Sequence, residues 1–288
     1  MQEILITAQI SGQRLDKFLA RHLGAAPKTF IHKMLRKKNI VLNGKRAEGS
    51  AILAAGDIVT LYLADETIEK FTKAKAAHDG PLDIIFEDDN IVIVNKPANL
   101  LTQPDSAGGD SVTSRLRHIY ANDDFKPVAV NRLDRNTTGI VLCAKNLTAS
   151  QILSKLVHDR QIEKNYLAAA HGEIPHEMVL EGFHAKDEGT NVSKIVMHGT
   201  TGREVVTKVR PLSYCAKKDV TVLKIGLETG RSHQIRAHLA EIGHPLVGDR
   251  KYGGHGEKRQ MLHAQEIVFD GRRFKAPLPE DMRKYAEE

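Results

Sequence analysis

Residues 131–146 read NRLDRNTTGIVLCAKN. The first half is polar, with Asp134 set between Arg132 and Arg135. The second half, GIVLCAK, is an apolar run of buried-strand type. Cys143 lies inside it and reads as a small core residue. A polar turn feeding a buried strand is a place from which side chains are aimed into clefts. A carboxylate beside an arginine is a usable nucleophile. The plainer reading is a salt bridge, which is what an acid flanked by cations usually makes.

Upstream of this stretch, IVIVN (91–95) has the same strand character and ends in the turn KPAN. SVTSRLRHIY (111–120) reads as a helix. Downstream, TASQILSKLVHD (148–159) is a stronger one, with Thr148 and Gln151 at capping-box spacing. Its expected apolar stripe is Ile152, Leu153, Leu156 and Val157. NYLAAAHG (165–172), VVTKVRPLSY (205–214) and VTVLKIGLETG (220–230) read as strands. SHQIRAHLAEIG (232–243) reads as a helix with Ile235, Leu239 and Ile242 inward, Gly243 closing it and Pro245 just beyond. Strands and helices that mix without strict alternation indicate an α+β fold.

The front of the chain differs in charge. Residues 1–62 carry ten Lys and Arg against four acids, while the whole chain nets +6. The rest is therefore balanced, and the basic head suggests a polyanion-binding module. RLDKFLARHL (14–23) and KTFIHKMLRKKN (28–39) have helical spacing, and IVLNGKRA (40–47) breaks at Asn43-Gly44, a tight-turn signal. With GDIVTLYL (56–63) this makes two helices and a hairpin that can lay cations along a phosphate backbone. Residues 64–80 lack apolar periodicity and read as a linker. The expected division is 1–63, a polyanion-binding head; 64–80, a linker; and 81–288, a second domain.

Much can be set aside. No run approaches the roughly 20 apolar residues of a membrane span. MQEILITAQI shows no basic leader before an apolar core, so a cytoplasmic location is expected. Two cysteines give neither a disulfide framework nor zinc spacing. There is no Gly-rich phosphate loop, GxSxG or HExxH. His233 and His238 are five apart, so they do not share a helix face, and no metal, cofactor or obligate protein partner is expected. Two further polar clusters accompany Asp134. TGRSHQIR (229–236) sits at a strand-to-helix junction, where free backbone N–H groups favour anions. EKNYLAAAHG (163–172) puts Tyr166 near the head of a strand.

These segments carry a resemblance. NRLDRNTTGIVLCAK, EKNYLAAAHG, LETGRSHQIRAHLAEIGHPLVGDRKYGG (227–254), MLHAQEIVF and APLPEDM follow, in order, the motifs of the RluA-type pseudouridine synthases. Residues 12–63, with RLDKFL and the Asn43-Gly44-Lys45 turn, resemble the alpha-L RNA-binding module of ribosomal protein S-four. The resemblance implies an α+β, mixed or antiparallel-sheet catalytic domain with a small N-terminal α/β RNA-binding module. It implies an isomerase that converts uridine to pseudouridine without a cofactor. Asp134 matches the family's catalytic aspartate, Tyr166 its active-site tyrosine, and Arg231 an arginine expected to pair with Asp134. Arg132 matches the residue that fills the gap left by a flipped base. Lys28, Lys33, Arg36, Lys37, Lys45 and Arg46 are the expected RNA contacts of the head, and His233, Gln234 and Arg236 of the body, although helix-start stabilisation would also explain the last three. Large-subunit rRNA is the expected substrate and tRNA the second. A non-catalytic RNA-binding or ribosome-assembly protein is the rival, and the intact Asp134, Tyr166 and Arg231 speak against it. Asn131 stands where the family usually has His, Thr138 where it has Ser, and Ala98-Asn99 where it has Ala-Gly; FDGRRFKAP lacks a customary His-Pro.

Overall fold

The computed structural model describes residues 1–24, 26–72, 80–105, 108–121, 123–187, 192–196 and 202–286. The chain divides into two compact units. The first comprises Met1–Asp79 with Ser114–Pro127 and Lys145–Thr148, and so draws in more than the basic head. Its elements are β1 (Gln2–Leu5), α1 (Leu15–His22), α2 (Lys28–Arg36), β2 (Ile40–Leu42), β3 (Ile58–Leu61) and α3 (Asp65–Thr72). The strands form one antiparallel sheet in the order β1-β3-β2. Leu15, Phe18 and Leu19 of α1 and Ile31, Met34 and Leu35 of α2 are buried, as their spacing requires. Asn43 and Gly44 both have positive φ, the backbone that an Asn-Gly turn supplies cheaply.

Helix α3 is a departure from the linker reading. Asp65 and Glu66 favour its N-terminus and Lys70 its last turn. Ile68 is buried and the Phe71 ring lies 4.7 Å from Phe30. One apolar turn is enough to dock a helix this short, and too little to show as periodicity. The remainder of that segment, 73–79, lies outside the described residues.

In helix α4 (Val112–Ile119), Val112 and Thr113 belong to the second unit and the rest to the first. The second unit is built on β4 (Asp83–Glu87), β5 (Ile91–Lys96), β6 (Val128–Ala129), β7 (Thr138–Ala144), β8 (Glu163–His171), β9 (Met178–Asp187), β10 (Val192–Val196), β11 (Arg203–Cys215), β12 (Val220–Leu227), β13 (Leu262–Phe269) and β14 (Arg272–Lys275). These form one 11-stranded sheet in the order β10-β9-β11-β12-β8-β13-β7-β5-β4, with β14 on β13 and β6 on β7. Helices α5 (Leu147–His158), α6 (Gln234–Glu241) and α7 (Glu280–Ala286) complete the unit. On α5 the buried residues are Ala149 and Leu153, while Ile152 is exposed; the expected stripe is thus narrower and rotated. The helix begins at Leu147, so Thr148 lies inside its first turn and is not its cap.

One junction positions the site. Among the described strands only β13 and β7 pair in parallel, through His263–Thr138 and Ala264–Gly139. Gly139 has φ +106°, and a Cβ there would meet the Ala264 carbonyl oxygen at 2.2 Å, so the approach requires glycine. Thr138 Oγ1 and His263 Nδ1 are hydrogen-bonded at 2.8 Å in the same buried place. On its other edge Ala264 pairs with Tyr166 of β8. Tyr166, Ala264 and Gly139 therefore stand in one cross-strand row, and the loop carrying Asp134 enters β7 at its end.

Candidate active site

The loop before β7 is fixed residue by residue. Asn131 donates from Nδ2 to the Ile140 carbonyl at 3.0 Å and accepts at Oδ1 from the Leu142 N–H at 2.8 Å. That clamp gives this departure from the family pattern a structural use. Thr102 Oγ1 accepts from the Leu133 N–H at 3.0 Å and donates to the Leu133 carbonyl at 3.1 Å. Lys96 Nζ donates to the carbonyls of Arg135, Pro97 and Leu100 at 2.8–2.9 Å. Arg259 donates to the Asn136 carbonyl at 3.2 Å and forms a bidentate pair with Asp281 at 2.7 Å. The Thr137 N–H closes the turn onto the Asp134 carbonyl at 3.0 Å. Burial pulls Lys96 down to about 7, with Asp134 opposing and Arg259 assisting. Its three carbonyl partners match the three donors of an ammonium.

Asp134 projects from this loop into a cleft of about 1030 Å³. Its partner there is Arg236, whose Nη1 donates to Asp134 Oδ2 at 3.0 Å. The same guanidinium is held by Asp249, Nε to Oδ2 and Nη2 to Oδ1, both at 2.7 Å. Its plane also lies over the Tyr252 ring, 5.0 Å from the centroid. Burial works against the Arg236 charge, but the bonds and attraction of Asp249, then Asp134, outweigh it and hold its pKa above the ordinary value. A bidentate fork anchored on one carboxylate leaves one arm with a fixed aim at the other.

This corrects the expected pairing. Arg231 is exposed at the turn before α6, and among the described residues the arginine bonded to Asp134 is Arg236. Arg236 is also removed from the expected RNA contacts, being buried between two acids. So is Gln234. Its Oε1 accepts from Thr229 Oγ1 and the Arg231 N–H, and its Nε2 donates to the Val206 carbonyl and Thr207 Oγ1. Every hydrogen-bonding position of that amide is filled, and its work is to pin the 229–234 turn to β11. Two arginines five apart in one motif look alike in sequence. The distinguishing signal was Asp249, an acid 13 residues on that only the fold brings to Arg236.

Tyr166 is buried and lines the cleft. Burial, then Asp134, raises its phenol pKa, so it keeps its proton near neutrality. Arg132 and Arg231 are exposed on the cleft wall, with Arg135, Arg160 and Lys251 also lining it. Lys164 stands two residues before Tyr166 and so on the same face of β8. It is half-buried, burial lowers its pKa, and no ion pair engages it among the described residues. On the first unit Lys28, Lys33, Arg36, Lys37, Lys45 and Arg46 are all exposed. Among the described residues no group of three His, Cys, Asp or Glu could hold a metal ion, and no helix is long and apolar enough to cross a membrane.

The family description "RNA pseudouridylate synthase" matches residues 90–241, and "S4 domain" matches residues 13–59. A Bacillus subtilis (strain 168) protein described as an uncharacterized RNA pseudouridine synthase is 31% identical over 306 residues, covering 100% of this chain and 98% of that protein. The ribosomal large subunit pseudouridine synthase D of Escherichia coli (strain K12) is 31% identical over 325 residues, covering 99% and 94%. The human RNA pseudouridylate synthase domain containing 1 superimposes with a TM-score of 0.56 at 22% identity, covering 72% of this chain and 87% of that one, and shares the fold. The chain belongs to the RluA-type RNA pseudouridine synthases with an N-terminal S4 domain. It is an isomerase whose S4 domain binds RNA.

Proposed function

We propose that this enzyme converts uridine to pseudouridine in large-subunit rRNA, with Asp134 as the catalytic group. The observation that supports the chemical assignment is the Asp134 carboxylate, held by Arg236 in a cleft walled by Tyr166 and rimmed with cations. In the reaction uracil leaves its ribose, turns, and rejoins through carbon 5. Asp134 acts on the separating pair, and Arg236 fixes its direction and balances its charge. Tyr166 supports the uracil ring as a buried aromatic floor. The target base must leave its stack to reach this depth, and Arg132 takes its place, a planar cation suited to stacking. Arg231, Lys164 and Arg160 receive the neighbouring phosphates.

The substrate reading rests on the S4 domain, the six exposed cations of the head, and the names of the Escherichia coli and Rickettsia bellii relatives, both ribosomal large subunit pseudouridine synthases. The test is to incubate the enzyme with unmodified large-subunit rRNA, its assembled precursor particles, and tRNA transcripts, then map pseudouridine chemically. Modification of the rRNA or its precursor is expected. Modification of tRNA alone would overturn the substrate assignment and leave the chemistry standing.

A further inference from the structure

The rejoined nucleoside still carries a hydrogen on carbon 5, and some group must remove it. Tyr166 is badly placed for this in energy, because burial and Asp134 keep its phenol protonated. The cleft holds another candidate. His233 lies at the start of α6 with φ 56°, a left-handed conformation unusual for a residue with a side chain. Such positions cluster at functional sites, because their strain is kept only where the local structure holds it. Its side chain makes no capping bond to the helix it precedes. Stabilising the helix start is therefore not what the imidazole does.

The ring is held from the opposite side. His233 Nδ1 lies 3.0 Å from the Tyr252 hydroxyl. That hydroxyl accepts from the Ser193 N–H at 3.0 Å and donates to the Ser193 carbonyl at 3.1 Å. A phenol has one hydrogen; we assign it to the Ser193 carbonyl, which leaves the phenol oxygen as the acceptor toward His233. The bond between His233 and Tyr252 must then run from Nδ1–H to the phenol oxygen. In a neutral ring this leaves Nε2 without a hydrogen. Nε2 faces the cleft, 3.9 Å from Asp134 Oδ2.

We propose that His233 Nε2 is the general base that takes the proton from carbon 5. The assignment rests on the reading of this cleft as the isomerisation site. In the rejoined intermediate carbon 5 holds both ribose and hydrogen, and the ring has a C6–N1 double bond. Nε2 forms a bond to the hydrogen as the C5–H bond breaks. The released pair becomes the C5–C6 double bond, the former C6–N1 pair moves to N1, and N1 takes a proton from water. The imidazolium so formed points its new N–H at Asp134, then loses that proton to solvent. The groups around the ring suit this cycle. Burial lowers the pKa of His233, and Asp134 pulls it up; Arg236 and Lys251 push it down and Asp249 raises it, so the resting ring is neutral near pH 7.

The test is single-turnover isomerisation of RNA carrying either protium or deuterium at carbon 5 of uridine. Wild type, His233→Gln, Tyr252→Phe and Asp134→Asn are compared side by side. His233→Gln is expected to slow carbon-5 proton release by about 10²–10⁴-fold, the usual contribution of a positioned base. It should also show a larger deuterium isotope effect than wild type, because proton removal becomes limiting, and added imidazole should restore part of the rate. Tyr252→Phe removes the acceptor that fixes the tautomer and should raise the isotope effect in the same direction. It keeps the imidazole itself, so the question stays answerable if the glutamine variant folds poorly. Slowing in both variants without a changed isotope effect and without rescue would overturn the proposal and leave His233 a positioning residue. An unchanged rate would overturn it outright. Turnover by Asp134→Asn would mean instead that the cleft itself had been misread.

Discussion

At the scale of single residues, the site depends on one guanidinium shared by two carboxylates. Arg236 meets Asp249 through two bonds and Asp134 through one. Arg236→Lys cannot reproduce that fork, because an ammonium is a point donor on a flexible stem. It is expected to lower kcat by roughly 10²-fold, the scale of a 1 Å misplacement of a reacting group. Arg231→Lys, which changes an exposed side chain on the cleft wall, should act mainly on KM and by much less. Steady-state kinetics of the two variants decide the ranking, and the reverse order would return the pairing role to Arg231. The position of Asp134, in a polar turn before a buried strand, was legible in the sequence. Its partner was not, because the choice between Arg231 and Arg236 turns on Asp249, which is close only in space. Gln234 was misread for a related reason: a polar residue in a functional motif looks like a contact until its hydrogen-bond partners are known.

At the scale of elements, the loop from 131 to 137 is held by groups from four other places in the chain. Lys96 is the most exposed to challenge, since one side chain satisfies three carbonyls. Lys96→Met would leave those acceptors bare in the interior. The expected cost is about 3 kcal/mol or more, at 1–3 kcal/mol for each buried group left unsatisfied, with activity falling as the loop loosens. Urea midpoints with a constant slope measure it, and a loss below about 1 kcal/mol would show that water replaces the ammonium. The strand pairs give a second expectation. His263 and His238 are buried against Thr138 and Thr207, and burial brings each imidazole down to about 4. The unfolded chain takes up these protons from about pH 6.5 downward, and the folded chain resists until about 4. Stability is thus intact above 6.5 and falls as the pH drops from 6.5 toward 4, by on the order of 2 kcal/mol for each ring. Urea midpoints that stay level from pH 7 to pH 5 would contradict it. The helices and most central strands could be read from periodicity. The β9 and β10 strands could not, since their charged residues break any clear alternation, and neither could the insertion of β13 between β7 and β8, which is a long-range pairing.

At the scale of the whole molecule, the sequence divides the work by charge. The first 62 residues hold the excess of cations, and the rest of the chain is neutral. The two matched families fall on either side of that division, residues 13–59 and 90–241. The boundary itself was only partly visible, because Ser114–Pro127 and Lys145–Thr148 cluster with the first unit although they follow the start of the second in sequence. If Lys33, Arg36 and Lys37 lie on RNA phosphates, replacing all three by alanine should weaken binding across RNA sequences. It should also flatten the dependence of log K on log salt by up to about 0.7–0.9 per lost contact. An unchanged slope would remove that helix from the interface.

The most direct measurement is tritium release from RNA labelled at carbon 5 of uridine, with wild type and Asp134→Asn at equal concentration and with RNA binding recorded for both. The substitution nearly preserves shape and leaves the loop's own hydrogen bonds in place. Release by wild type alone, with binding retained by both, is the result expected if the carboxylate presented by Arg236 performs the isomerisation. Release by Asp134→Asn at a comparable rate would contradict the account at its centre and place the chemistry elsewhere in the molecule.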